Sequence, residues 1–212
     1  VETADGVVAA IHVPRSTELH ALDDGRVLIR SGAENRSLGG EQVRQLASGK
    51  SSGDFEMQEL PGAELGEGVS IGPFCAVGPH VRLGDGTTLR SHVSVEGHAT
   101  LGAGCEIWPF ASVGGKTQDL KYKGGAPRLV VGDHTVIREC ATLNCATFDG
   151  GETRVGSKCL IMAYCHVAHD CIVGDRVIMA NNATLAGHVV IEDDAIIGGL
   201  TGVHQFVRVG QM

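Results

Sequence analysis

Four of the ten histidines lie close together near the end of the chain, and their side chains could transfer protons or bind a metal ion. They are His166, His169, His188 and His204, and Asp170 directly follows the second of them. A neutral imidazole accepts protons near pH ~6.5, and a neighbouring carboxylate can orient it as a general base. Three imidazoles could instead bind zinc. The adjacent aspartate favours the base, so we predict no metal ion and no other cofactor.

The elements that position these side chains follow from a six-residue repeat. From Leu65 to Val209, 22 of the 25 sites spaced by six carry an aliphatic residue or methionine, and glycine follows 11 of them. This period is neither helical nor alternating. It predicts a chain that turns a corner every six residues, with three flat faces closing one coil of 18 residues. The predicted fold class is all-β, a left-handed parallel β-helix (a hexapeptide-repeat solenoid), and the 4% content of aromatic residues fits its narrow interior.

A coil of 18 residues stacks each residue on the one 18 positions later. Gly187 is thereby predicted to lie next to His169, and His188 next to Asp170. The aliphatic residue at each site of the six-residue repeat is expected to point into the coil, and we call these positions inward sites. Val167 occupies one of them, so His169, two residues later, falls at a corner and points outward. A glycine directly beside that imidazole leaves room for a ligand.

Two stretches leave the six-residue pattern, 115–130 and 147–154, and both are polar or rich in glycine. We predict loops there, because binding groups on a rigid scaffold commonly sit on loops. Their lengths preserve the phase of six, so the coil is expected to resume in register.

Residues 1–57 do not share the repeat and form a separate predicted domain, a small α+β segment, foreign or truncated, that precedes the solenoid of residues 58–212. The segment is expected to contain strands at 7–13 and 26–30 and a short helix at 41–48. Its stretch HALDDGRVLIRSGAENR weakly resembles the end of an AlbA-like (Schlafen-type) DNA-binding domain.

Composition excludes several classes of partner. The formal net charge is −8, which argues against nucleic acid and against electrostatic docking on an anionic membrane. The sequence has no apolar run of about 18 residues, so we expect no transmembrane segment. The seven cysteines lack the spacing of a disulfide scaffold, which favours a reducing, cytoplasmic location. Five of them fall four residues after an inward site, a position typical of corner packing.

Several longer motifs identify a family resemblance. From about residue 62 to 212, the segments IGPFCAVGPHV, QDLKY, HVAHDC, NNATLAGHV and IIGGLTGVHQF occur in that order. The chain closely resembles bacterial acyl-[acyl-carrier-protein]–UDP-N-acetylglucosamine O-acyltransferases, the first enzymes of lipid A synthesis. The resemblance implies two substrates, UDP-N-acetylglucosamine and an acyl-carrier protein bearing an acyl thioester. It also implies a homotrimer with the active site between neighbouring subunits.

The same resemblance implies roles for individual residues. His169 matches the general base that deprotonates the sugar 3-hydroxyl, Asp170 its orienting partner, and Gly187 the backbone N–H that stabilises the oxyanion. The implied substrate-binding residues are Gln118, Asp119, Lys121, Asn144, His166, His188, His204 and Gln205.

The chain also departs from the family. Many members carry His or Asn followed by Arg where this chain has Asn144 and Cys145. The family continues past residue 212 with further coils and a helical domain, so we expect the acyltransferase domain to be incomplete at its C-terminal end. Two alternatives stay open: another hexapeptide-repeat enzyme, either a sugar N-acyltransferase or a zinc carbonic anhydrase, and an inactive truncated fusion.

Overall fold

The structure, a computed structural model, describes residues 28–31, 34–37 and 62–211. The chain divides into two units, Val1–Glu59 and Leu60–Met212, and each is described by itself.

In the first unit, β1 (Leu28–Ser31) pairs antiparallel with β2 (Glu34–Ser37), with Leu28 opposite Ser37. The strand predicted over 26–30 corresponds to β1. The strand predicted over 7–13 and the helix predicted over 41–48 lie outside the described residues. The assignment of 1–57 as a small α+β domain stays a prediction.

The second unit is built from three parallel sheets whose strands follow one another in rotation along the chain. Sheet A contains β3 (Glu64–Leu65), β6 (Arg82–Leu83), β9 (His98–Leu101), β12 (Arg128–Val131), β15 (Glu152–Val155), β18 (Ile172–Val173), β21 (Val190–Ile191) and β24 (Arg208–Val209). Sheet B contains β4 (Ser70–Ile71), β7 (Thr88–Leu89), β10 (Glu106–Ile107), β13 (Val136–Ile137), β16 (Leu160–Ile161), β19 (Ile178–Met179) and β22 (Ile196–Ile197). Sheet C contains β5 (Ala76–Val77), β8 (Ser94–Val95), β11 (Ser112–Gly115), β14 (Thr142–Asn144), β17 (His166–Val167), β20 (Thr184–Leu185) and β23 (Gly202–Val203).

The predicted fold class, a left-handed parallel β-helix, is confirmed. Each described strand of sheets A, B and C pairs with strands three places away in the chain order, as expected when three faces close one coil. The second residue of most strands is the inward aliphatic one, and these side chains form a single continuous core from Val81 to Ile197. Across the described residues there is no helix that could cross a membrane.

The turn between successive faces uses the left-handed backbone region. The third residue after an inward site takes a positive φ repeatedly, as at Asp170 (58°), His188 (62°) and Phe206 (62°). Residues other than glycine adopt this conformation rarely, and asparagine, aspartate and histidine do so more readily than bulky residues. The repeat therefore fixes the side-chain direction at every corner, including the corner that carries the histidine cluster.

Each edge of the prism is closed by short side-chain hydrogen bonds between coils. On the edge between sheets A and B, carboxylates cap the turn of the preceding coil: Asp175 accepts from the Ser157 N–H at 2.7 Å, and Asp193 from the Asp175 N–H at 2.9 Å. The corner cysteines cap carbonyl groups in a similar way, since Cys171 Sγ donates to the Ala186 carbonyl at 3.1 Å. These bonds give the recurring corner cysteines a structural role in closing the turns.

The two predicted loops are present but shorter than the sequence indicates. The first lies between β11 and β12, over 116–127, and the second between β14 and β15, over 145–151. Strands extend into both predicted stretches because β12 and β15 pair with each other over four residues, Arg128–Val131 against Glu152–Val155. The register resumes as expected, since Leu143 pairs with Val113 before the second loop and with Val167 after it.

The buried cysteines provide a test of the core. Cys105, Cys145, Cys159, Cys165 and Cys171 are buried, and burial raises the pKa of Cys145 and Cys171 to about 11. Because the thiolate is the reactive form, we expect these five thiols to resist alkylation at about pH 8 in the folded protein and to react in concentrated urea. Mass spectrometry of tryptic peptides counts the modified sites. Rapid modification of Cys171 in the folded protein would contradict this packing.

Candidate active site

His169 lies outside the apolar core, yet it is almost fully covered. It follows β17 by two residues, so the inward Val167 sets its direction. Only 6% of His169 is exposed. Part of the cover comes from the first loop, where Asp119 Oδ2 lies 3.9 Å from Nε2 of His169. The sequence placed this imidazole at a corner but gave no sign that loop residues would shield it from water.

Asp170 orients the imidazole. Its Oδ2 accepts a hydrogen bond from Nδ1 of His169 at 2.8 Å, and this bond selects the tautomer that leaves the lone pair on Nε2. The carboxylate also accepts from the Thr147 N–H at 3.3 and 3.4 Å, while the Asp170 N–H donates to Thr153 Oγ1 at 2.8 Å. These bonds fix the position of both the backbone and the carboxylate of Asp170. Nε2 of His169 is then the ring atom that can accept a proton.

Gly187 lies directly against the ring of His169, as the spacing of 18 predicted. A Cβ at this position would overlap the imidazole, so any other residue would displace it. Among the described residues, no hydrogen bond uses the Gly187 N–H. The equivalent N–H groups on the edge between sheets A and B are capped by aspartates, as at Ser157 and Asp175. Gly187 therefore presents an unused donor close to the imidazole.

His188 and Phe206 extend the site along the edge. The ring of His188 meets His169 edge-on with centroids 5.2 Å apart and stacks on Phe206 at 4.8 Å. Nε2 of His188 lies 3.8 Å from Asp170 Oδ2. His169, Asp170 and His188 offer ligand atoms within 4.8 Å of one another, a spacing that a metal ion could use. However, a metal ion bound to Asp170 Oδ2 and His169 Nδ1 would replace the hydrogen bond that orients the imidazole.

His166 occupies the outer face of sheet C. Its Nδ1 lies 2.7 Å from Thr142 Oγ1 on the neighbouring strand. Burial lowers the pKa of His166, a hydrogen bond with the Thr142 backbone opposes that shift, and the nearby imidazole of His169 lowers the pKa further. His166 is thus kept neutral, which suits hydrogen bonding rather than charge pairing.

The first loop supplies polar groups beside the imidazole. Asp119 Oδ1 accepts from the Lys121 N–H at 2.9 Å, which turns Oδ2 toward His169. Lys121 and Lys123 line a cavity of about 450 Å³ together with Phe148 of the second loop. Gln118 is exposed and makes no hydrogen bond among the described residues.

The remaining predicted residues make no hydrogen bond with His169 among the described residues. Asn144 is buried, its Nδ2 lies 3.5 Å from the Gly115 carbonyl, and its Oδ1 has no partner among the described residues. Next to it, Cys145 Sγ donates to the Gly114 carbonyl at 3.2 Å. His204 and Gln205 are exposed in the next coil, where His204 is in register with Ala186 and Gln205 with Gly187. Their roles in binding stay predictions.

Three threonines were not identified from the sequence. Thr117, Thr147 and Thr153 are buried, and each makes a hydrogen bond to Asp119 or Asp170. Threonine is common in strands and loops, so residue type alone does not single them out. The contact between the two loops shows the position of Thr117 and Thr147, and the hydrogen bond from Asp170 shows that of Thr153 in β15.

The fold and the site define a class. The chain is a hexapeptide-repeat left-handed β-helix with a carboxylate-oriented histidine on one edge. The family model for "Bacterial transferase hexapeptide (six repeats)" matches residues 62–97 and 152–187.

The particular relatives are acyltransferases. The acyl-[acyl-carrier-protein]–UDP-N-acetylglucosamine O-acyltransferase of Thiobacillus denitrificans is 54% identical over 151 residues, which is 71% of this chain and 58% of that relative. Among solved structures, LpxA from Acinetobacter baumannii is 49% identical with a TM-score of 0.69, covering 70% of this chain and 58% of that one. The UDP-N-acetylglucosamine acyltransferase of Francisella novicida is 41% identical with a TM-score of 0.69, covering 72% and 58%.

These comparisons confirm the resemblance predicted from the motifs, and the solenoid is a homologue of these acyltransferases. The chain spans 58% of the length of the Thiobacillus denitrificans relative.

The lowered pKa of His166 predicts a pH dependence of stability. Folding disfavours the protonated form of His166, so its contribution to stability is full above the unfolded pKa of about 6.5 and is lost as pH falls below it. Replacing His166 with Gln should therefore reduce the loss of unfolding free energy between about pH 7 and pH 5. Urea unfolding at several pH values measures this, with His134→Asn, a change at an exposed histidine, as the control. An unchanged pH dependence in His166→Gln would count against the assignment.

Proposed function

We propose that this protein transfers an acyl group from the thioester of an acyl-carrier protein to the 3-hydroxyl of UDP-N-acetylglucosamine, the first step of lipid A biosynthesis. The names of its homologues supply the reaction and the substrates. The observation that carries the proposal is the oriented imidazole: the 2.8 Å bond to Asp170 leaves Nε2 of His169 free to take a proton.

His169 acts as the general base in this reaction. Nε2 removes the proton of the sugar hydroxyl as the oxygen attacks the thioester carbon. The charge that develops on the carbonyl oxygen is stabilised by the Gly187 N–H. When the tetrahedral intermediate collapses, the C–S bond breaks, and the imidazolium returns the proton to the departing thiolate. The low exposure of His169 supports this role, because hydrogen bonds and charges act more strongly where water is excluded.

The polar groups around the base bind the nucleotide sugar. Nε2 of His169 and Oδ2 of Asp119, 3.9 Å apart, are two acceptors that can engage two neighbouring donors of one sugar ring. Asp119 thus orients the ring while the 3-hydroxyl donates to Nε2. We assign the other contacts with the sugar nucleotide and the acyl chain to Gln118, Lys121, Asn144, His166, His188, His204 and Gln205.

A homotrimer completes the site in this proposal. Large apolar side chains lie exposed along the edge between sheets B and C: Phe74 (71% exposed), Phe110 (62%), Tyr164 (61%) and Leu200 (83%). They occupy four of the seven equivalent corners of this edge, and His92, Cys140 and Asn182 occupy the others. At a coil spacing of about 4.8 Å the four side chains extend over about 29 Å, a surface that we call the ridge. Such a ridge is typical of a surface that contacts another subunit. We also place the reaction in the cytoplasm, because all seven cysteines are free thiols.

A transfer assay tests the base. The chain is incubated with acyl-carrier protein bearing a 3-hydroxyacyl thioester and with UDP-N-acetylglucosamine, and the acylated sugar nucleotide is measured by mass spectrometry. His169→Ala should lower kcat by about 10²–10⁴-fold, the usual contribution of general acid–base catalysis. His134→Asn, on the edge between sheets A and B, should retain the wild-type rate. Equal rates for wild type and His169→Ala would refute the assignment, and a rate abolished by chelation and restored by zinc would favour a metal enzyme.

The mass of the protein in solution tests the trimer. Light scattering should give three copies for the wild-type chain. Phe110→Asn removes the central ring of the ridge and should shift the mass toward the monomer, because asparagine tolerates the positive φ of that corner. Lys158→Asn introduces the same residue at an equivalent corner on the edge between sheets A and B, and it should leave the trimer intact. A wild-type monomer at micromolar concentration would contradict the proposal.

A further inference from the structure

Two hydroxyl groups join the loops that flank His169. Thr117 lies at the start of the first loop and Thr147 in the second, and their Oγ1 atoms are 3.1 Å apart. Both residues are buried, at 5% and 1% exposure. This is a hydrogen bond between residues 30 positions apart in the sequence, shielded from competing water.

Each threonine is also bonded to a carboxylate residue beside the imidazole. Thr117 Oγ1 accepts from the Asp119 N–H at 3.1 Å, and the Thr147 N–H donates to the Asp170 carboxylate at 3.3 and 3.4 Å. A hydroxyl has one donor and two acceptor positions, so the Thr117 oxygen can serve Asp119 and Thr147 together. The hydroxyl pair therefore connects the two aspartates on either side of His169.

Asp149 ties the other end of the first loop. Its Oδ1 accepts from the Ala126 N–H at 2.8 Å. Gly125, with a φ of +100°, packs against the Asp149 side chain, where a Cβ would lie only 2.7 Å from that of Asp149. The first loop is thus attached to the second near its beginning, at Thr117, and near its end, at Ala126.

We propose that Thr117, Thr147 and Asp149, which we call the loop latch, are positioning residues for the acyl transfer. The latch holds Asp119 at the distance from Nε2 of His169 that lets the two acceptors bind neighbouring groups of one sugar. Without it, the first loop moves away from the imidazole while the His169–Asp170 bond remains. This inference rests on the proposed function, because it assigns the latch to the same site and to the sugar acceptor.

Matched variants separate the latch from general stability. Thr147→Val and Thr117→Val delete a hydroxyl at nearly constant volume, and Thr147→Val keeps the backbone N–H on Asp170. We expect each to lower kcat/KM for UDP-N-acetylglucosamine about tenfold, the effect of one lost hydrogen bond of about 1.4 kcal/mol. The KM for the acyl thioester and the pH profile of kcat should not change. Thr147→Ser should restore the wild-type rate. Thr87→Val deletes a buried hydroxyl that donates to the Gly102 carbonyl at 2.8 Å and should leave both kinetic constants within about twofold of wild type.

Trypsin gives a readout that does not depend on activity. Lys121 and Lys123 are exposed in the first loop, so release of the loop should speed cleavage after them. We expect cleavage about tenfold faster in Thr147→Val, Thr117→Val and Asp149→Ala, and unchanged in Thr87→Val. Asp149→Asn retains an acceptor oxygen and should be cleaved at nearly the wild-type rate.

The two assays distinguish failure of the latch from failure of the proposed function. If the wild-type chain transfers no acyl group, the proposed function fails, and with it the role of the latch in that reaction; proteolysis then still reports whether the latch holds the loop. If the wild-type chain is active and the valine variants match it in both assays, the latch is overturned. Faster cleavage with unchanged kcat/KM would also overturn it, since the loop would then move without affecting the sugar.

Discussion

The whole solenoid depends on the parallel register between coils, which one inward aliphatic side chain per face maintains. Val167 packs between Leu143 and Leu185 because their strands pair in register, and a shift of one residue would turn the inward side chains outward. This register decides which residues meet across coils. The catalytic proposal needs Gly187 against His169, and that contact exists only because the two residues are one full coil apart.

The loops exploit the same constraint. A convex solenoid surface cannot by itself exclude water from a side chain on its edge. An insertion can enter at a corner without disturbing the core, provided that the next face resumes in phase. Both loops meet this condition, since Val131 pairs with Leu101 in the preceding coil and with Val155 in the next. The inserted residues then provide what the coil lacks: Asp119 covers Nε2 of His169, and Thr147 holds Asp170.

The sequence predicted the periodic part of the molecule and much less of the rest. Spacing by six and by 18 was sufficient to place His169 beside Gly187 and Asp170 beside His188, because the coil converts sequence distance directly into position. The loops have no period, so nothing in the sequence indicated that Thr117 and Thr147 meet or that His169 is 6% exposed. The contact between Asp149 and Ala126 was equally hidden, since it joins two irregular segments.

The corners show how one backbone conformation supports three different edges. Asp194 and Asp170 share a left-handed φ near +60°, yet Asp194 pairs with Arg176 on one edge and Asp170 orients the imidazole of His169 on another. Aspartate is suited to this conformation, whereas a bulky residue there is disfavoured by about 1–2 kcal/mol.

On the third edge, Phe74 and Phe110 take that conformation and also leave their rings exposed. The ring of His92 lies between these two rings and stacks on both. This stacking offsets only part of the cost of the backbone conformation and of the exposure, because the outer surface of the ridge stays exposed to water. Burial against another subunit would offset both effects, which is why we assign the ridge to the subunit interface.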